Sequence, residues 1–154
     1  MALYASWTHG NALTVESPEN LARVGHFGWG ADMYMQPGKG SWFHIPIPTP
    51  VIIGDVRSTL LRVFLLFEIA PGTGSIRNVH VYDGPFKPQE FNGLDLDGAH
   101  RTGLDAANTF ALAAPHTVVF GIGVTFFFQA AIGIDSHISP PLLRLATAGG
   151  DFTV

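Results

Sequence analysis

The chain has 154 residues, enough for one domain with a substantial core, and it carries twelve Phe, eighteen Gly and no Cys. Without cysteine there is no disulfide framework, no thiolate metal site and no Cys nucleophile. A formal net charge of −4 with no Lys/Arg cluster argues against a nucleic-acid partner, while a charged share of only 13% suggests a surface partly covered by a second subunit or a ligand.

Met1–Gly10 shows no basic segment followed by an apolar one and does not read as a signal peptide, so a cytoplasmic protein, slightly favoured, or a mature chain with its leader removed fits. Ala2–His9 and Asn11–Glu16 read as two strands joined at His9-Gly10-Asn11, an opening hairpin. Ser17-Pro18-Glu19-Asn20 predicts a short helical turn, and Arg23–Gly30 returns to a strand pattern. Ser41–Ile47 puts Phe43, Ile45 and Ile47 on one face and Trp42 and His44 on the other. The alternating Pro46, Pro48 and Pro50 predict an edge strand that cannot pair outward.

Ser58–Ala70 is a strong strand, with Leu61, Val63, Leu65, Phe67 and Ile69 on the expected core face. Its other face mixes Leu60, Arg62, Phe64, Leu66 and Glu68, which suits either a subunit contact or an ordinary surface. Ser75–Asp83 follows, with Val79 and Val81 opposite Ile76, Asn78, His80 and Tyr82. From Asp83 to Asn108 the apolar period vanishes, which predicts a long loop.

His116–Asp135 organises the rest. Its even positions, from Val118 through Phe120, Ile122, Val124, Phe126 and Phe128 to Ile134, are apolar, and its odd positions are mostly Gly, Thr and Gln. So long a run must bend, at Gly121/Gly123 or after Gln129. Ala106–Ile134 carries no Asp, Glu, Lys or Arg, but its small polar face fits a strand and not a membrane-spanning helix. With no helical period over ten residues, the expected fold is one all-β domain over 1–154, an antiparallel β-sandwich of about eight to ten strands in jelly-roll-like or immunoglobulin-like order.

Four short motifs are Val79-His80-Val81-Tyr82-Asp83-Gly84, Asp97-Gly98, Gly121-Ile122-Gly123-Val124 and Ala148-Gly149-Gly150-Asp151-Phe152. Through them the chain resembles a family of small bacterial β-proteins of unknown function, mainly over its second half. The resemblance implies a fold and carries no activity or site residue.

Seven isolated histidines lack His-x-His or His-Glu-x-x-His spacing, so no metal site and no cofactor are expected. Asp95-Leu96-Asp97-Gly98 begins like a calcium loop but lacks the closing acidic residue. The most chemical-looking surface is Asn78, His80 and Tyr82 leading into Asp83, at a strand end; Trp42 and His44 add an aromatic ring and an imidazole. Trp42 and Trp29, if exposed together, would suit stacking on sugar rings. These residues predict a non-enzymatic, self-associating module that binds a small ligand, a carbohydrate among the candidates, or a protein partner through strand-end loops. The alternative is a small enzyme using His80 with Asp83 or Tyr82.

Overall fold

The computed structural model describes residues 1–132 and 140–154. Its strands are β1 (Leu3–His9), β2 (Thr14–Val15), β3 (Leu21–Phe27), β4 (Gly30–Met35), β5 (Gly40–Pro46), β6 (Ile52–Ile53), β7 (Val56–Arg57), β8 (Thr59–Ile69), β9 (Gly74–Asp83), β10 (Phe86–Phe91), β11 (Gly98–His100), β12 (Thr109–Thr117), β13 (Ile122–Ala130) and β14 (Leu142–Thr153). Ten of them have six residues or more, and the other four have two or three. The fold is all-β and antiparallel, as the alternating apolar pattern predicts. Among the described residues no helix is long and apolar enough to cross a membrane.

A seven-stranded sheet runs β11-β8-β14-β4-β3, with β1 also on β14 and β12 also on β8. A five-stranded sheet runs β10-β9-β13-β5-β2, and β6 with β7 forms a separate ribbon. Buried side chains of both sheets join in one core, with Leu60, Val63, Phe67 and Leu145 from the first and Phe43, Val79, Phe126 and Phe128 from the second. Each such side chain contributes roughly 1.5–3 kcal/mol of burial. The apolar face of the organising stretch is this core wall: Val118, Ile122, Val124, Phe126, Phe128 and Ala130 are all buried. The chain breaks where the length demanded it, between Thr117 and Ile122, and Phe120 in that break is 60% exposed. The predicted end of the stretch, from Gly133 to Asp135, lies outside the described residues, as does His137.

Several expectations are corrected. The opening hairpin does not form: β1 pairs with β14 and β2 with β5, because the turn at Gly10–Ala12 is a 3-10 turn that carries the chain from one sheet to the other. The Pro46–Pro50 segment is not an edge strand, since β5 ends at Pro46 with β13 along one side and β2 along part of the other. The Asp83–Asn108 loop contains β10 and β11, whose few residues are too polar and too short to show a period. Two bulges also shift faces. One at Leu61 buries Leu60 and half-exposes Leu61, and one at Arg77 turns Ile76 into the core, away from Asn78 and His80.

Candidate functional site

On the outer face of the five-stranded sheet, one cross-strand row runs Thr14–His44–Thr125–His80–Glu90, touching all five strands. It is flanked by the rows Trp42–Phe127–Asn78 and Pro46–Gly123–Tyr82. The period of two puts these residues together, because even positions of β5 and β9 register with odd positions of β13. Five of the six residues singled out from sequence, Trp42, His44, Asn78, His80 and Tyr82, therefore share one face.

The face is concave. Glu16, Trp42, His44, His80, Tyr82, Lys87 and Thr125 line an open groove of about 480 Å³. A smaller hollow of about 250 Å³ over Gly123 shares His44, Tyr82 and Thr125 with it. A third, of about 450 Å³, continues past Tyr82 and Gly123 to Gly84 and Phe120. Gly123 is what keeps the middle low: a Cβ built there would meet nothing within 4 Å, so the space above it is free. Trp42 forms the wall at the other end, its ring 4.9 Å from His80 and edge-on to Phe127 at 5.3 Å.

Polar partners hold the groove's side chains. Thr125 Oγ1 donates to the Phe43 carbonyl at 2.9 Å and lies 2.7 Å from His44 Nδ1. His44 Nε2 faces Glu16 Oε2 at 3.3 Å. His80 Nε2 lies 2.8 Å from Asn92 Oδ1, which also accepts from Asn78 Nδ2 at 2.8 Å. Lys87 Nζ donates to Glu90 Oε2 at 2.6 Å; this bond holds the Glu90 carboxyl below its ordinary range and the Lys87 ammonium above it.

Asp83 is not part of this face. It is 1% exposed and points to the opposite side from His80 and Tyr82, where its Oδ2 accepts from His116 Nε2 at 2.8 Å and Val119 N at 2.7 Å. Its Oδ1 accepts from Phe120 N at 2.8 Å and Gly121 N at 2.9 Å. Burial alone would raise its pKa, but the His116 bond and the three backbone bonds outweigh that and lower it to about 2. Asp83 is thus a clip that fixes the 118–121 turn, and it is unavailable to His80 as a catalytic partner.

Trp29 and Trp42 do not meet. Trp29 sits at the β3–β4 turn of the other sheet, stacked on Phe27 at 5.7 Å and beneath the guanidinium of Arg101. In the calcium-like segment Asp95 faces Arg77 Nη1 at 3.6 Å, and Gly98 opens β11. Among the described residues no three His, Asp or Glu side chains converge as metal ligands. Glu16, Lys87, Glu90, Asn92 and Thr125 were not among the candidate ligand residues, although Thr125 lies on the small odd face of the organising stretch and Asn92 beside the calcium-like segment. Three of these belong to β10 or its end, hidden in the apparent loop, and Glu16 shows its role only when β2 is laid against β5.

The sequence profile of a family of unknown function, DUF6623, matches residues 1–136. The chain belongs to the DUF6623 family. The DUF6623 match covers every residue of the groove and ends before the Ala148–Phe152 motif of β14. No curated protein matches the chain.

Proposed function

We propose that this DUF6623 protein is a non-enzymatic binding module whose groove on the five-stranded sheet takes a small polar ligand with an apolar ring face, a carbohydrate. The observation that carries this reading is the meeting of Trp42 and Tyr82 with His44, His80, Glu16 and Lys87 around one open groove floored by Gly123. Aromatic rings supply stacking surface, and the surrounding polar atoms fix orientation, the usual division of labour in a ligand site. Binding is favoured over catalysis because Asp83 is committed to the 118–121 turn and the His80 Nε2 atom to Asn92.

The test is titration of a broad glycan panel, read by Trp fluorescence. At least one glycan is expected to saturate, with Trp42→Ala weakening it about tenfold or more, a typical loss for an aromatic anchor. Trp29→Ala, on the other sheet, should leave the affinity alone. A panel with no saturable change ends the carbohydrate reading.

We further propose self-association. Phe86, 61% exposed, stacks on Phe120 at 6.2 Å at the end of the groove, in a chain with few charges to keep copies apart. Light scattering across concentration decides it: a constant monomer mass removes the proposal.

A further inference from the structure

The groove is longer than one sugar ring. Its three hollows share walls: the first two have His44, Tyr82 and Thr125 in common, and the second and third have Pro46, Tyr82 and Gly123. Together they follow β13, over Thr125, Gly123 and then Gly121, with Trp42 packed edge-on against Phe127 at one end. At roughly 3.3 Å per residue, the six steps from Phe127 to Gly121 cover ~20 Å. No floor side chain divides that length, because a Cβ on Gly123 would meet nothing within 4 Å and one on Gly121 only Thr49 Oγ1, at 3.9 Å.

Three aromatic side chains from separate segments are spaced along this line. Trp42 stands in the row of Phe127, Tyr82 in the row of Gly123, and Phe120 against Gly84 at the far end. Between them the lining is polar, with His44, His80, Thr125 and Thr49. An extended peptide draws its affinity from main-chain hydrogen bonds at a free sheet edge, and β13 has none to give, since β9 takes one edge and β5 the other. Stacking surface repeated at intervals, with polar groups between, matches instead a glycan chain, whose units each present a ring face and a rim of hydroxyls. A floor made from one extended segment suits a ribbon-like, β-1,4-linked chain over a coiled, α-1,4-linked one.

We propose that the groove binds a linear β-1,4-linked oligosaccharide, several units at a time, laid along β13 with Trp42, Tyr82 and Phe120 as successive stacking positions. This rests on the carbohydrate-binding reading above and adds to it the chain length and the linkage. Trp42 anchors the short chains, and Phe120 is reached only by the long ones.

The test is calorimetric titration with oligomers of one to six units, β-1,4-linked glucose, β-1,4-linked N-acetylglucosamine and α-1,4-linked glucose. The protein is kept dilute and monomeric, because Phe120 also belongs to the surface proposed for self-association. In at least one β-1,4-linked series, affinity should climb about tenfold or more from the disaccharide to the longest chain and level off once the chain spans the groove. The α-1,4-linked series should gain nothing beyond its disaccharide. Phe120→Ala, at a side chain 60% exposed and so outside the core, should bring the longest chain down close to the affinity of the disaccharide. Chains of every length binding alike, an α-1,4-linked series that climbs equally, or a Phe120→Ala protein that keeps the full gain each overturns the proposal and leaves the carbohydrate reading standing. Silence with all three series also overturns it, and the broader glycan panel then decides the carbohydrate reading separately.

Discussion

The two sheets each carry an outer face on which large apolar and polar residues alternate, yet one face is closed by the chain itself and the other is left open. On the seven-stranded sheet, Arg62 Nε donates to Asp151 Oδ2 at 2.6 Å, Arg101 to Glu68, and Arg144 Nε to Asp32 Oδ1 at 3.2 Å. Trp7 stacks on Phe64 at 5.1 Å and lies over Gly149, where an added Cβ would come within 2.6 Å of the indole. On the five-stranded sheet, the corresponding glycine, Gly123, has nothing above it. The polar residues around it are histidines, a threonine and a tyrosine, with atoms still to be satisfied. Each of these three arginines spends its Nε on a carboxylate of the seven-stranded sheet, a charge-assisted bond that ties that surface together. The mixed face of β8, which from sequence suited either a subunit contact or an ordinary surface, carries the Arg62–Asp151 and Arg101–Glu68 pairs and the Trp7–Phe64 stack.

The comparison breaks hardest at Asp83, which fixes the turn at the end of the open face. Asp83→Ala leaves His116 and three backbone N–H groups without their acceptor and should cost about 3 kcal/mol or more in urea unfolding. Acid should do part of the same. The Asp83 carboxyl falls from 3.8 to about 2 on folding, so its stabilisation is complete above the unfolded value and disappears as pH falls through the folded one. The loss amounts to about 2 kcal/mol between roughly pH 4 and pH 2. Asp83→Asn should flatten that part of the stability-against-pH curve; an unchanged curve would show that another carboxylate sets it.

The next largest effect belongs to the closed face. Gly149→Val pushes a side chain into the Trp7 indole and the Ser6 carbonyl, with Cβ distances of 2.6 and 2.8 Å. Overpacking of this kind costs about 1–3 kcal/mol. It should appear as a lower urea midpoint together with a Trp fluorescence change as Trp7 leaves Phe64. A variant as stable as the parent would mean that the face is not tightly closed.

The difference between these faces was only half visible in the sequence. The alternation in Gly40–Pro46, Gly74–Asp83 and Ile122–Ala130 sorted most of the core from the surface, and it placed Trp42, His44, His80 and Tyr82 on outward positions correctly. What alternation cannot encode is an interruption. A single extra residue at Leu61 or Arg77 reverses the faces beyond it, so Ile76 and Leu60 were assigned to the wrong side. Asp83 was grouped with His80 by nearness in the chain, although three residues along a strand is the spacing that separates two side chains by a full sheet thickness. Pairing partners were hidden as well. β1 meets β14 from the opposite end of the chain, and no local signal in either strand announces the other.

The smallest effect on stability should come from the open face and be the most informative. Gly123 lies in extended backbone between Pro46 and Tyr82, and the space beside its Cα is clear. A β-branched residue suits such a strand position, so Gly123→Val should change unfolding by less than about 0.5 kcal/mol or raise it slightly. The same side chain would stand in the hollow shared by His44, Tyr82 and Thr125 and fill the floor on which a ligand ring rests. Its binding of any glycan that saturates the parent should fall about tenfold or more. Paired with Gly149→Val, it separates the two faces by opposite readouts, one losing stability and keeping the groove, the other keeping stability and losing the groove. If Gly123→Val binds as the parent does, the open face is ordinary wet surface and the functional site lies elsewhere.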